Sequence, residues 1–317
     1  MPPIGSVIAA GNIDDVALNF TDSSLIVLGL VLAVIMFGIA LDTRVADFRH
    51  VFKLPKAIAV GIGAQFLILP AVTFGLTILL GVGASIALGM IVVASCPPGN
   101  ISNVLNYRAG GNVALSVSMT AISNLIAIFV MPVNIAFWGG LHPEASAILE
   151  AVNLDALELL GEVVLIIGLP FVLGISIAER HPAFAAKAQP LVKRFSLLAL
   201  LAFVLIAFGS NFSNFKDHML IVAVSVFLFD TVAFSLGYGI SSAFRLEREN
   251  RKAVTFEVGV RNTGIGLGIV FSFFDGLGGM ALVAGWWGIW DIIAGLGLAG
   301  WWARRPGGRE TVAEAES

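Results

Sequence analysis

The chain has 317 residues, is 58% hydrophobic and only 12% charged, and carries a formal net charge of −3 with mean hydropathy +0.95. Soluble domains hold about a quarter charged residues, so a soluble globular class is excluded and a multispanning membrane protein is indicated. The small net charge gives no sign of a nucleic-acid partner, and the single cysteine, Cys96, excludes an internal disulfide and a Cys-cluster metal site.

Residues 1–22 lack the basic start of a signal peptide, and their apolar run IGSVIAA is too short to span, so they read as an extramembrane N-terminus. A helix needs about 20 apolar residues to cross the hydrocarbon core. Nine stretches qualify: 24–41, 57–80, 84–108, 113–135, 159–178, 191–211, 219–243, 252–274 and 278–302. The third and eighth are the least uniform, interrupted by polar residues and glycine, with prolines in the third. Together these spans make a membrane domain over 23–302, followed by a polar tail, 303–317, of disordered composition.

Basic residues orient the spans. With the N-terminus outside, the inner side holds Arg44, Arg49, Lys53, Lys56, Arg108, Arg180, Lys187, Lys193 and Arg194. It also holds Arg245, Arg248, Arg251, Lys252, Arg304, Arg305 and Arg309, making 16 of 18. Lys216 alone lies outside and Arg261 alone within a span; the outer loop 136–158 has carboxylates and no Lys or Arg. This one-sidedness puts the C-terminus in the cytoplasm.

In that orientation, spans one to four and six to nine run in opposite senses, with a broken helix third in each set. Such a pattern marks an inverted repeat, whose paired interrupted helices point to a transport site. The fold expected is an all-α polytopic membrane protein with two discontinuous, crossing helices.

The first break, SCPPGNISNVLNYRAGGN, contains Pro97, Pro98, Gly99, Asn100, Ser102, Asn103 and Asn106. Two consecutive prolines remove two amide donors and open the helix. In lipid this is tolerated where protein or a watery cavity satisfies the freed carbonyls. Its Asn and Ser side chains are either hard oxygen ligands for an alkali cation or polar packing between helices.

The second break, TFEVGVRNTGIG, sets Glu257 and Arg261 among Gly259, Gly264 and Gly266. A carboxylate at membrane depth is expensive unless paired or coordinating. Either Glu257 and Arg261 form an i, i+4 ion pair on a helical turn, or a half-helix starts near Asn262 and Thr263 and aims its N-terminus at an anion. Between the breaks in sequence, Ser116 and Thr120 share one face of span four, with Ser123 and Asn124 a turn further on.

Taken together, SCPPGNISNVLNYRAGGNVALSVSMTAIS, GAQFLILP and EVGVRNTG resemble the bile acid:sodium symporter family, over most of 24–302 and in order. The nine-span layout is similar to its vertebrate members rather than the ten-helix bacterial ones. The resemblance implies a panel domain (24–41, 159–178, 191–211) and a core domain of the other six spans, with broken helices crossing at its centre. It implies an organic anion moved with Na+ by alternating access. Carried over by motif, a first sodium site comprises Ser102, Asn103, Ser116, Thr120 and Glu257. A second comprises Gln65, Glu257, the carbonyls of Val258 and Val260, and a glutamine. Asn100 and Asn262, with Thr263 beside them, flank the substrate.

Where the family has that glutamine, this chain has Arg261. A guanidinium offers only donors and a fixed charge, so it does not ligate sodium. The expectation is that Arg261 stands in for the second sodium as a built-in cation paired with Glu257. Asp230 and Asp291, each an intramembrane carboxylate, are candidate charge partners or proton carriers. Trp301 and Trp302 read as interfacial anchors, and Trp286, Trp287 and Trp290 as packing or lipid-facing residues.

The function expected is sodium-coupled symport of an organic anion, a bile-acid-like or small carboxylate, across the inner (plasma) membrane, with the lipid bilayer as surroundings. Proton-coupled transport, and a non-transporting membrane sensor of the same fold, stand as alternatives. No His-Glu-x-x-His or Gly-x-Ser-x-Gly motif supports an enzyme, and His50, His142, His181 and His218 have no metal-ligand spacing.

Overall fold

A computed structural model describes residues 22–304 except 45–46, 49–52, 153–155, 211–217 and 275. Residues 1–21, Arg49, His50, Lys216, Arg305, Arg309 and nearly all of the tail lie outside this set. The described residues form helices and no β-strand.

In chain order the helices are α1 (Asp22–Leu41), α2 (Pro55–Gly63), α3 (Leu69–Leu80), α4 (Ala84–Ser95) and α5 (Ile101–Arg108). Then come α6 (Val113–Leu141), α7 (Ser146–Ala151), α8 (Ala156–Val163), α9 (Leu169–Arg180) and α10 (Pro182–Ser210). The last four are α11 (Met219–Ala243), α12 (Arg248–Gly259), α13 (Thr263–Phe273) and α14 (Gly278–Ala303). Among the described residues, four continuous helical stretches are long and apolar enough to cross a bilayer: Pro55–Leu80, Val113–Leu141, Met219–Ala243 and Gly278–Ala303.

Two π-helical turns, Ala64–Ile68 and Val164–Gly168, join α2 to α3 and α8 to α9. A Leu-Pro pair follows each. Proline supplies no amide to the turn before it, so the backbone widens there and leaves carbonyls needing other donors. The first turn carries Gln65, fully buried.

Both interrupted stretches are truly divided. α4 ends at Ser95, Cys96 turns to extended backbone (ψ 153°), and Pro97 and Pro98 prevent helix until Ile101. α12 ends at Gly259, Val260 is extended (ψ 124°), and α13 starts at Thr263, with Asn262 Oδ1 capping the Ile265 amide at 3.2 Å.

Several boundaries differ from the sequence expectation. The helix expected over 113–135 continues to Leu141, and with α7 it makes part of the supposed outer loop 136–158 helical. α10 begins at Pro182, so Lys187, Lys193 and Arg194 sit on a helix rather than a loop; proline suits a first helical turn, where its missing amide is not needed. Trp302, expected as an anchor, is buried against Phe256 and Tyr238, while Trp301 is half exposed.

α1 packs on α9 and α10, α11 on α12, and α14 on α4 and α11. Close approach depends on glycine: a Cβ on Gly89 would lie 2.8 Å from Met280 Cα, and one on Gly237 would lie 2.9 Å from Thr255 Cα. Small residues at such crossings let backbones gain dispersion contacts where lipid supplies no hydrophobic drive.

Candidate functional site

The two breaks cross, and hydrogen bonds hold them. The Asn262 amide donates to Pro97 O at 2.8 Å, and Arg261 Nη1 donates to Cys96 O at 3.0 Å. Thus carbonyls left beyond the end of α4 take donors from the second break. At the other end of α5, Lys252 Nζ caps Ala109 O at 2.6 Å and Gly110 O at 3.1 Å, and Asn112 Nδ2 donates to Asn250 Oδ1 at 2.8 Å. The start of α12 therefore clamps the end of α5 to the start of α6.

Beside the crossing, fully buried Glu257 sits in a nest of oxygens. Ser102 Oγ and Ser116 Oγ each donate to its Oε1 at 2.6 Å, and Thr120 Oγ1 donates to Oε2 at 2.9 Å. The same Thr120 hydroxyl, with one proton, also reaches Ser116 O at 3.1 Å and Asn103 Oδ1 at 3.4 Å. All five residues expected at the first site are thus together, contributed by α5, α6 and α12. Acceptors outnumber donors here, and among the described residues no guanidinium or ammonium is bonded to the carboxylate. Such a hard, oxygen-only, net-negative set fits an alkali cation, whose charge replaces the missing protons.

The expected Glu257–Arg261 ion pair is not formed. The helix stops at Gly259, so the two residues do not share a helical turn. Arg261 is 2% exposed, and its Nε and Nη2 lack a hydrogen-bond partner. Asp291 does meet Arg261, but through the backbone: Asp291 Oδ2 accepts the Arg261 amide at 2.9 Å.

Gln65, expected at the second sodium site, has its Oε1 taken by Ser123 Oγ at 2.6 Å, and its Nε2 has no partner. Val258 and Val260 are fully buried. Ser123 was visible as a polar residue on α6 but not as the partner of Gln65, because a serine in an apolar helix ordinarily bonds its own backbone. Among the described residues no group of three or more His, Cys, Asp or Glu could hold a metal ion.

A cavity of about 270 Å³ opens where the crossing faces α1 and α10. Asn100, Asn262 and Thr263 line it from the crossing, Ile35 and Ile39 from α1, and Gln189 and Lys193 from α10. The first turns of α5 and α13 both border it, so two helix N-termini and a lysine face one mainly apolar space. Partial positive charge from two helix ends, with the cations of Lys193 and Arg261 also in the lining, suits an anion with an apolar body. Asn100 makes no capping bond with its side chain.

Comparison with known proteins agrees with this architecture. The model of the "Sodium Bile acid symporter family" matches residues 29–218. The sodium-dependent transporter YocS of Bacillus subtilis (strain 168) is 30% identical over 283 residues, 86% of this chain and 82% of its own. A rice (Oryza sativa subsp. japonica) protein described as "Probable sodium/metabolite cotransporter BASS2, chloroplastic" is 30% identical over 237 residues, 74% of this chain and 54% of its own. The human ileal sodium/bile acid cotransporter is 27% identical over 241 residues, 75% of this chain and 66% of its own.

Proposed function

The chain belongs to the sodium bile acid symporter family, and from that premise we propose that this sodium-coupled transporter carries a compact organic anion together with one sodium ion by alternating access. The observation that carries the reading is the nest around Glu257, an all-oxygen, acceptor-rich cluster on the flank of the crossing. Sodium is cargo here. Its binding would draw α5, α6 and α12 onto one charge, and the same α5 borders the anion cavity.

Ser102, Asn103, Ser116, Thr120 and Glu257 would hold the ion, while Asn100, Asn262 and Thr263 would meet the anion. The cavity, at about 270 Å³, lies below the range of roughly 300–1,000 Å³ usual for drug-sized ligands.

Arg261 takes the place of a second sodium in this reading. At ~4 Å a unit charge repels another by about 4 kcal/mol at an effective dielectric of 20. A buried guanidinium four residues from Glu257 in sequence, together with a Gln65 oxygen already bonded to Ser123, argues against both the charge balance and the ligand for a second ion.

The panel would be α1, α8–α9 and α10, and their mutual packing supports treating them as one unit. The remaining helices would form the core, giving nine spans, an inverted repeat, an outer N-terminus and a cytoplasmic C-terminus in a plasma membrane. The distribution of basic residues supports that orientation.

Thermal unfolding of the purified chain, with sodium titrated against choline, tests the proposal. A ligand that binds the folded state raises its stability. Sodium-specific stabilisation is expected, and an equal response to choline would refute sodium binding.

A further inference from the structure

One segment of the chain, 252–262, holds the eight-residue α5 along its whole length. Before its start, the Asn262 amide and Arg261 Nη1 take the carbonyls of Pro97 and Cys96. In its first turn Ser102 meets Glu257. Past its end, Lys252 Nζ donates to Ala109 O and Gly110 O. The partners fall from 262 through 257 to 252 as they rise from 97 through 102 to 109, so α12 runs antiparallel to this stretch.

The end of α5 explains why a lysine is there. Gly110, at φ 66°, turns the chain, and the amides of Gly110 and Gly111 return to Tyr107 O at 3.0 Å and Asn106 O at 2.9 Å. This is a Schellman closure, and it leaves Ala109 O and Gly110 O over. Lys252, 3% exposed, takes both. A buried ammonium is costly unless its donors are used, and the negative end of a helix dipole favours it.

Asn112 adds the third helix of the nest. Its Oδ1 caps α6 at the Leu115 amide (3.0 Å), and its carbonyl accepts from Asn106 Nδ2 of α5 at 3.0 Å. Its own amide donates to Glu249 O of α12 at 3.1 Å, and its Nδ2 to Asn250 Oδ1 at 2.8 Å. Asn106 stands one turn after Ser102, and Asn112 one turn before Ser116. The knot therefore lies about a turn from the nest on both α5 and α6.

We propose that Lys252 and Asn112 are positioning residues for sodium. Neither is bonded to Glu257 or to the hydroxyls around it; they fix α5 and α6 on α12, so that Ser102, Asn103, Ser116 and Thr120 close on Glu257 in one geometry. Groups that orient a metal's ligands in this way are worth about 10–100-fold in affinity. This role rests on the reading of the nest as a sodium site. Lys252 also gives the role a sign. Its charge repels the ion, so deleting it would on electrostatic grounds alone tighten sodium binding, whereas lost positioning weakens it.

Isothermal titration of sodium into the purified full-length chain, with thermal midpoints in choline measured alongside, tests the assignment. Lys252→Met, which keeps the length of the side chain without its donors, should bind sodium about 10-fold more weakly or worse. Asn112→Ser keeps a capping hydroxyl for Leu115 and deletes the donor to Asn250. It should weaken sodium in the same sense, and it decides the matter where Lys252→Met does not fold. Affinity unchanged or tighter in a folded variant, with only the choline midpoint lowered, overturns the proposal and leaves the knot a structural cap. A parent that shows no sodium-specific heat refutes the sodium reading itself and the positioning role with it; a parent that binds sodium while the variants match it refutes the positioning role alone.

Discussion

Asn134, on α6, donates its side-chain amide to the carbonyl of Phe66 at 2.9 Å, inside the π turn that precedes Pro70. Pro70 lacks the amide that a regular helix would aim at that oxygen. Asn134→Leu is expected to leave a buried acceptor unpartnered and to cost about 1–3 kcal/mol. The thermal midpoint should fall in a sodium-independent way. A loss seen only in sodium would instead place Asn134 in ion binding.

Removing charge from the nest should remove the ion. Glu257→Gln is expected to abolish sodium-specific stabilisation, while the variant remains folded because its amide oxygen can still accept from Ser102 and Ser116 and its NH2 can donate to the Thr120 oxygen. Ser116→Ala deletes one hydroxyl from the set. A bond to a charged group is worth about 1.5–3 kcal/mol, so sodium affinity should fall ~10-fold or more. Isothermal titration of sodium checks both, and an unchanged affinity in Glu257→Gln would remove Glu257 from the site.

Arg261→Gln replaces five donors and a fixed charge by an amide that can offer an oxygen. The dependence of stability on the logarithm of sodium activity should steepen, from about one ion bound towards two. A slope identical to the parent's would show that the guanidinium does not occupy an ion's place.

His142 provides the pH prediction. It follows α6, and its Nδ1 accepts from the amides of Glu144 at 3.3 Å and Ala145 at 3.2 Å, which requires a neutral ring. Burial pushes its pKa below 6.5, and the nearby Glu144 opposes this only in part. The neutral form therefore stabilises the fold above the unfolded-state pKa, and that contribution is lost as pH falls through the depressed folded value. Thermal unfolding should show His142→Asn, which keeps an acceptor without a titration, losing less stability on mild acidification. Equal acid sensitivity would show that this imidazole does not matter.

Much of the fold was legible because hydropathy and backbone chemistry act locally. Pro97 and Pro98 cannot lie inside a regular helix, so the first break was visible without coordinates. The glycines of the second break, and Glu257 within it, marked that segment equally. Helix ends were less legible. Pro182 starts α10 and α6 runs past 135, because hydropathy marks the bilayer and not the helix.

The pairings were least legible of all. Glu257 and Arg261, four apart in sequence, looked like natural partners, yet the helix ends between them and each finds others. Ser123 and Gln65 gave no sign of meeting, nor did Asn134 and Phe66.

What the sequence determined alone is the membrane class, the order of apolar segments and the place, at Pro97 and Pro98, where helix cannot continue, since each follows from about a dozen neighbouring residues. Only the tertiary structure decided which hydroxyls face Glu257. Ser102, Ser116 and Thr120 stand 155, 141 and 137 residues from it, and helix packing alone brings such distant groups within 3 Å. The meeting of Asp291 with the Arg261 amide has the same origin, since 30 residues separate the two in sequence and only packing brings them together.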